Sequence, residues 1–277
     1  MLKKRSFINL LLICYLSSWS ISLFAETQQG IKVDGQWVAA NYSGSGMAFW
    51  NTGDQYEGQF KDGKRHGNGH YTWSNGNQYQ GDYDEGERTG KGIYRWSNGN
   101  QYDGDWIQGE RTGNGTYTWH NGNIYKGDFK GDNRTGKGSL TWYNGDNYTG
   151  DFVNDERSGK GHYSWHSGDQ YEGDYVQGKR QGIGSYTWKN GNVYTGGWQQ
   201  NQRHGKGTYT WKSGERYEGD FANNMRHGQG IMTSAFGDRY EGGFENDKRH
   251  GVGVLIWSNG TRHEIKFNHG KRVSAVN

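Results

Sequence analysis

A tyrosine returns every 23 residues, without a slip, at Tyr56, Tyr79, Tyr102, Tyr125, Tyr148, Tyr171, Tyr194, Tyr217 and Tyr240. Nine occurrences at one spacing mean that a small unit has been copied and stacked, and this constraint overrides any residue-by-residue assignment of elements. It bears on function as well. A chain built almost wholly from one unit leaves little room for a one-off catalytic centre, but it offers a long, regular surface.

The unit at 79–101 shows what is copied. Tyr79, Gly81 and Tyr83 alternate with Gln80 and Asp82, and Gly92, Tyr94 and Trp96 alternate with Ile93 and Arg95. Alternation of period two with aromatic enrichment predicts two strands, each with one buried face. The polar, glycine-flanked stretch between them reads as a loop, and Asn98-Gly99 as the tight turn into the next unit. The expected fold is all-β: an elongated single-layer antiparallel meander of about ten such hairpins. Composition agrees, with 49 Gly, no Pro, 16% aromatic residues and only 30% hydrophobic residues. Burial must therefore come from Tyr, Trp and Phe. Gly81 and Gly92 lie on the aromatic face without side chains, so rings can lie over the backbone. One hairpin is not stable alone, so the units must stack.

The organisation expected along the chain is as follows. Residues 1–25 read as a signal peptide: basic Lys3, Lys4 and Arg5, an apolar run from Phe7 to Phe24, and Ala25 at the cut. The alternative is an inner-membrane anchor formed by residues 7–24. Cleavage after Ala25 would start the mature chain at Glu26 and remove Cys14, the only cysteine, so disulfides contribute nothing. Residues 26–32 are expected to be a linker, 33–55 a degenerate capping repeat, 56–262 nine full repeats and 263–277 a truncated terminal repeat. Worn end units suit caps that face solvent on one side.

The grid of the unit at 171–193, with Tyr171, Glu172, Gly173, Tyr175, Gly178, Gly182, Gly184, Tyr186, Trp188 and Gly191, closely resembles the MORN (membrane occupation and recognition nexus) repeat. The resemblance spans residues 33–270. It departs at Ser234, where Trp is expected, and Phe236 follows two residues later. It implies a curved single-layer sheet of hairpins that serves as a binding or assembly module, with acidic-phospholipid binding the activity most often proposed for the family. A class of function follows from this, not a ligand, because fold does not fix function.

Two candidate binding features stand out. The first is an arginine column with one member per unit, including Arg88, Arg111, Arg134, Arg157, Arg180 and Arg203, placed in the strand-connecting loop. It reads either as a basic ladder for phosphates or as a structural column that stacks on rings and pairs with Asp82, Asp105, Asp128, Asp151 or Asp174. Regular recurrence favours the structural role. The second is the exposed part of the ring face, represented by Tyr125, Trp142, Tyr148 and Trp165, which could bind a partner or simply pack. If rings alone hold the array, replacing Arg134 in an exposed loop should cost far less than replacing Trp142.

Other chemistry finds no footing. His66, His204, His227 and His250 share a column, but units about 9.5 Å apart cannot bring them to one ion. The glycine pairs lack the Lys-Ser/Thr of a phosphate-binding loop. No metal, cofactor or catalytic residue is assigned. The net charge is +3, with 32 Lys+Arg against 29 Asp+Glu, and removing Lys3, Lys4 and Arg5 brings it to zero. That argues against nucleic acid and leaves only weak, salt-sensitive binding to acidic phospholipid. The expected function is a non-enzymatic exported scaffold, periplasmic or envelope-associated, that holds a protein or glycan partner. The alternatives are a self-assembling homo-oligomer and a membrane-tethering lipid binder.

Overall fold

The computed structural model describes residues 28–273, so the expected leader, its cleavage point and Cys14 lie outside the described residues. Within them the chain is one sheet of 23 strands with no helix. Neighbours in sequence are neighbours in space from β3 (Gly44–Trp50), β4 (Gln55–Lys61) and β5 (Lys64–Thr72) onward, every pair antiparallel. The series runs on to β22 (Arg262–Asn268) and β23 (Lys271–Val273). The expected single-layer meander is therefore the fold.

The N-terminal end corrects one boundary. Of the stretch expected as a linker, the described residues 28–32 are strand: Gln28–Val33 is β1, paired with both β2 (Gln36–Val38) and β3. Ile31 from β1 and Ala48 from β3 are both fully buried. They close the end of the array with aliphatic groups where inner units use tyrosine. A polar flank, Thr27-Gln28-Gln29-Gly30, hid this strand in the sequence.

The two turns of each unit also differ from expectation. In the unit of β12 (Asn147–Val153) and β13 (Glu156–Ser164), the second strand is nine residues long and starts just after a two-residue turn. Asn154 and Asp155 both have positive φ, 47° and 69°, the requirement of a tight hairpin turn whose twist suits the strands. The stretch expected as a loop is thus mostly strand, interrupted by a bulge. Gly150 faces Gly161, and the register then slips so that Asp151 faces Ser158. Gly159 at the slip has φ 56°, and Asp151 Oδ2 accepts the Lys160 N–H at 3.1 Å. The arginines therefore lie in strands, not loops.

The tyrosine column is the spine of the core. All nine are essentially fully buried. Each hydroxyl donates to a backbone carbonyl three residues on, as in Tyr148 to Asp151 O at 3.0 Å. Tyr148 also meets Phe152 of its own strand (5.2 Å, 89°) and Tyr175 of the next unit (5.3 Å, 85°) edge to face, a geometry that suits the ring quadrupole. The glycine pair beneath is required. A Cβ on Gly161 would lie 2.4 Å from the Tyr148 ring, and one on Gly150 2.5 Å from its hydroxyl.

Candidate functional site

The expected binding residues are taken up by the fold. Tyr125 and Tyr148 are fully buried. Trp142 and Trp165 are half-buried and tilt against the tyrosine of the following unit, Trp142 on Tyr163 (5.2 Å) and Trp165 on Tyr186 (5.2 Å). The six arginines named from the column lie over rings and reach into the next unit. Arg134 has its guanidinium carbon 5.6 Å from the Trp119 centroid, 5.5 Å from Tyr125 and 5.6 Å from Phe152. Its Nε and Nη2 donate to Asp155 Oδ1 and Asp155 O, both at 2.8 Å. Arg88 and Arg157 bond Gly109 O and Gly178 O at 2.7 and 2.9 Å. Arg111 pairs with Asp132 at 2.8 Å, and Arg180 and Arg203 reach Asn201 O and Asn224 O. The acidic partners are the turn residues 21 positions on, not the strand-start aspartates considered from sequence. The column is a clamp between units.

A second clamp runs along the other end of the strands, unrecognised in the sequence. The turn residue Asp146 accepts from Tyr163 Oη (2.9 Å) and from the His166 N–H (2.8 Å), both in the next unit. Asp169, Asn192 and Asn77 occupy the same place and bond the next turn in the same way. An Asp or Asn after most Asn-Gly or Ser-Gly turns was the available signal.

These environments show in the titration behaviour. Burial pushes the phenols of Tyr125 and Tyr194 up to about 12, against the pull of Arg134 and Arg203. Tyr148 and Tyr171 are raised as well, chiefly by burial. Burial lowers the guanidinium of Arg180 and Arg203 from its ordinary value, yet at neutral pH a guanidinium stays charged. Burial alone would raise the Asp174 carboxyl. The Lys160 ammonium at 2.6 Å and the Ile183 N–H outweigh it and hold the carboxyl below the usual range.

The opposite face is open. A hollow of about 820 Å³ there is lined by Lys126, Lys137, Thr149, Lys160, His162, Glu172, Ile183 and their neighbours. They come from seven consecutive strands, from β10 (Ile124–Lys130) to β16 (Val193–Gln199). Seven strands in a flat sheet would spread over about 29 Å, so the sheet curls around this face into a trough. Hollows of about 730 Å³ near Glu57 and His70, and about 600 Å³ near Lys206 and Glu218, extend it towards the two ends. No Tyr, Trp or Phe lines the central trough.

A single sheet of clamped hairpins with one face consumed and one face hollow defines a repeat scaffold. The chain belongs to the MORN repeat family, whose model matches nine consecutive segments, 56–78, 79–101, 102–124, 125–147, 148–170, 171–193, 194–216, 217–239 and 240–262. No curated protein matches the chain. Among solved structures, the wild-type TCP10 domain of Danio rerio CPAP is similar at 10% identity, covering 80% of this chain and 99% of that one, with a TM-score of 0.42. The TCP10c domain of Drosophila melanogaster Sas-4 is similar at 14% identity, covering 55% and 91%, with a TM-score of 0.34. Overlap at that level reflects extended sheet and carries no further argument.

Proposed function

We propose that this MORN repeat protein is an exported, non-enzymatic scaffold that holds an extended polypeptide partner in the trough of its polar face. The observation that carries this reading is the trough itself: seven adjacent strands lining one hollow of about 820 Å³, with none of its side chains engaged in ring packing. A polypeptide is favoured over a glycan because sugar recognition draws on exposed ring faces, and here the rings are stacked behind the sheet. Of the three lysines that line the hollow, Lys137 and Lys160 are paired with Asp151 and Asp174, which leaves Lys126 to meet an acidic side chain on the partner. Export rests on the basic–apolar–Ala25 order of the leader. Cleavage there would leave strand β1, which begins at Gln28, almost at the mature N-terminus.

Photo-crosslinkers at Thr149 and His162 in the trough, and at Trp142 on the ring face, test the reading in the native envelope. The expected result is one protein band from Thr149 and His162, lost on Lys126→Glu, and none from Trp142. Crosslinks from Trp142 alone would overturn it. Binding to acidic phospholipid is a weaker companion proposal. Most trough-face lysines are tied to aspartates, as in Lys137–Asp151 (2.5 Å) and Lys206–Asp220 (2.7 Å), so vesicle flotation should be marginal and vanish as salt rises. End-to-end assembly finds little support. The edge strands β2 and β23 have three residues each, and Lys271 and Arg272 occupy the second, features that discourage strand pairing between molecules.

A further inference from the structure

Among the described residues, a cluster that breaks the repeat grid lies at the C-terminal end of the array. Glu245 ends β20 (Arg239–Glu245), His250 lies early in β21 (Lys248–Ile256), and His269 sits in the turn between β22 and β23. One potential ligand atom from each lies within 4.8 Å of the others. In the preceding unit the same places hold Ala222, His227 and Asn246, and in the one before it Gln199, His204 and Asn223. Only the last unit completes the set, because its turn carries a histidine where the others carry Asn, Asp, Gln, Glu or Gly.

The spacing suits ligands gathered around one ion. His250 Nδ1 is 3.3 Å and His269 Nδ1 3.4 Å from the same oxygen, Glu245 Oε2. An N–H···O bond to a carboxylate closes to about 2.7–2.9 Å. Ligands bound at about 2.0–2.2 Å in a tetrahedron lie about 3.3–3.5 Å apart. His250 Nδ1 accepts the His269 backbone N–H at a long 3.4 Å, so an ion bound at this nitrogen would displace only that weak bond. The turn is held in place independently: Gly270 N–H donates to Arg249 O at 2.8 Å, the bond that the other units make at the same place. All three side chains reach solvent, at 37–55% exposure, so an ion could enter.

We propose that Glu245, His250 and His269 form a divalent transition-metal site that pins the terminal hairpin to the last full repeat. Two imidazoles and one carboxylate select Zn²⁺ or its borderline neighbours over Ca²⁺ and Mg²⁺, which want oxygen. Three protein ligands leave a fourth position for water. The role is structural: an ion there would close the open end of the sheet, as the aliphatic cap does at the other.

The test uses the full, tag-free chain, stripped of metal and titrated with Zn²⁺ against a chromophoric chelator. The repeat supplies its own control substitutions: His269→Asn and His250→Thr introduce residues that the chain already uses at those places, so folding should survive. We expect one tight equivalent of Zn²⁺, no competition from Ca²⁺, and affinity weakened by more than about tenfold in either variant. His204→Thr should leave it unchanged. Zn²⁺ should also raise the melting temperature of the parent chain but not of His269→Asn. No tight equivalent, or one that both variants retain, would overturn the proposal.

Discussion

Tyr148 and Thr149 are adjacent in β12, yet they live in different worlds. Tyr148 is fully buried, with a bonded hydroxyl and rings from two units on its edges. Thr149 lines an open trough. In the repeats around β12 the strand's period of two sends the Tyr, Phe and Trp rings to one side and residues such as Lys126, Thr149, His162 and Glu172 to the other. A sheet with no second layer must cover its own apolar face. Here the rings do so by tilting over the glycine pairs and over one another, and the arginines lie on top. The lesson is that aromatic richness in such a chain marks the core, and the surface left for a partner is the plainer one.

That contrast can be broken in several ways. The largest effect is alkaline. Tyr125 and Tyr194 have phenols pushed up to about 12, against about 10 in an unfolded chain. The folded state thus prefers the neutral phenol. The stability this gives is complete below about pH 10 and disappears as pH rises through about 12. We expect tyrosinate absorbance and loss of β signal to appear together in that window. Phenols that titrate near 10 with the sheet intact would mean that the ring face is open. Next in size is Tyr148→Ala, which empties the centre of the ring lattice and should cost about 3–5 kcal/mol in a urea melt. Gly161→Ala should follow, at about 1–3 kcal/mol, because the new methyl meets the Tyr148 ring at 2.4 Å.

The sequence made most of this fold readable because the period is strict and the alternation clean. Strand identity, antiparallel order and the buried tyrosines all follow from those two signals. The turn between the paired strands did not, because Gly159 and Lys160 at the bulge look like loop chemistry, and the tight turn lies at Asn154-Asp155. The same error put Arg134 in an exposed loop. Its partner, Asp155, lies 21 residues away in the next unit, and only the register brings the two together. The trough was invisible because Lys126, Thr149, Glu172 and Ile183 share no residue type; what unites them is the curl of the sheet. The Glu245–His250–His269 cluster escaped because His250 was read within its column, whereas its neighbours come from the adjoining strand end and the last turn.

The central claim is that the arginine column is a clamp and the trough face is free, and paired melts of Arg134→Ala and Lys126→Ala address it most directly. Arg134 is only 19% exposed, lies over three rings and bonds Asp155 twice through its side chain. Its loss should cost about 1.5–3 kcal/mol, and Arg134→Lys should restore little, because an ammonium cannot reproduce the planar fork. Lys126→Ala, in the trough, should stay within about 0.5 kcal/mol of the parent. Equal and small losses at the two positions would contradict the account, since they would leave the arginines as free for a ligand as the lysines.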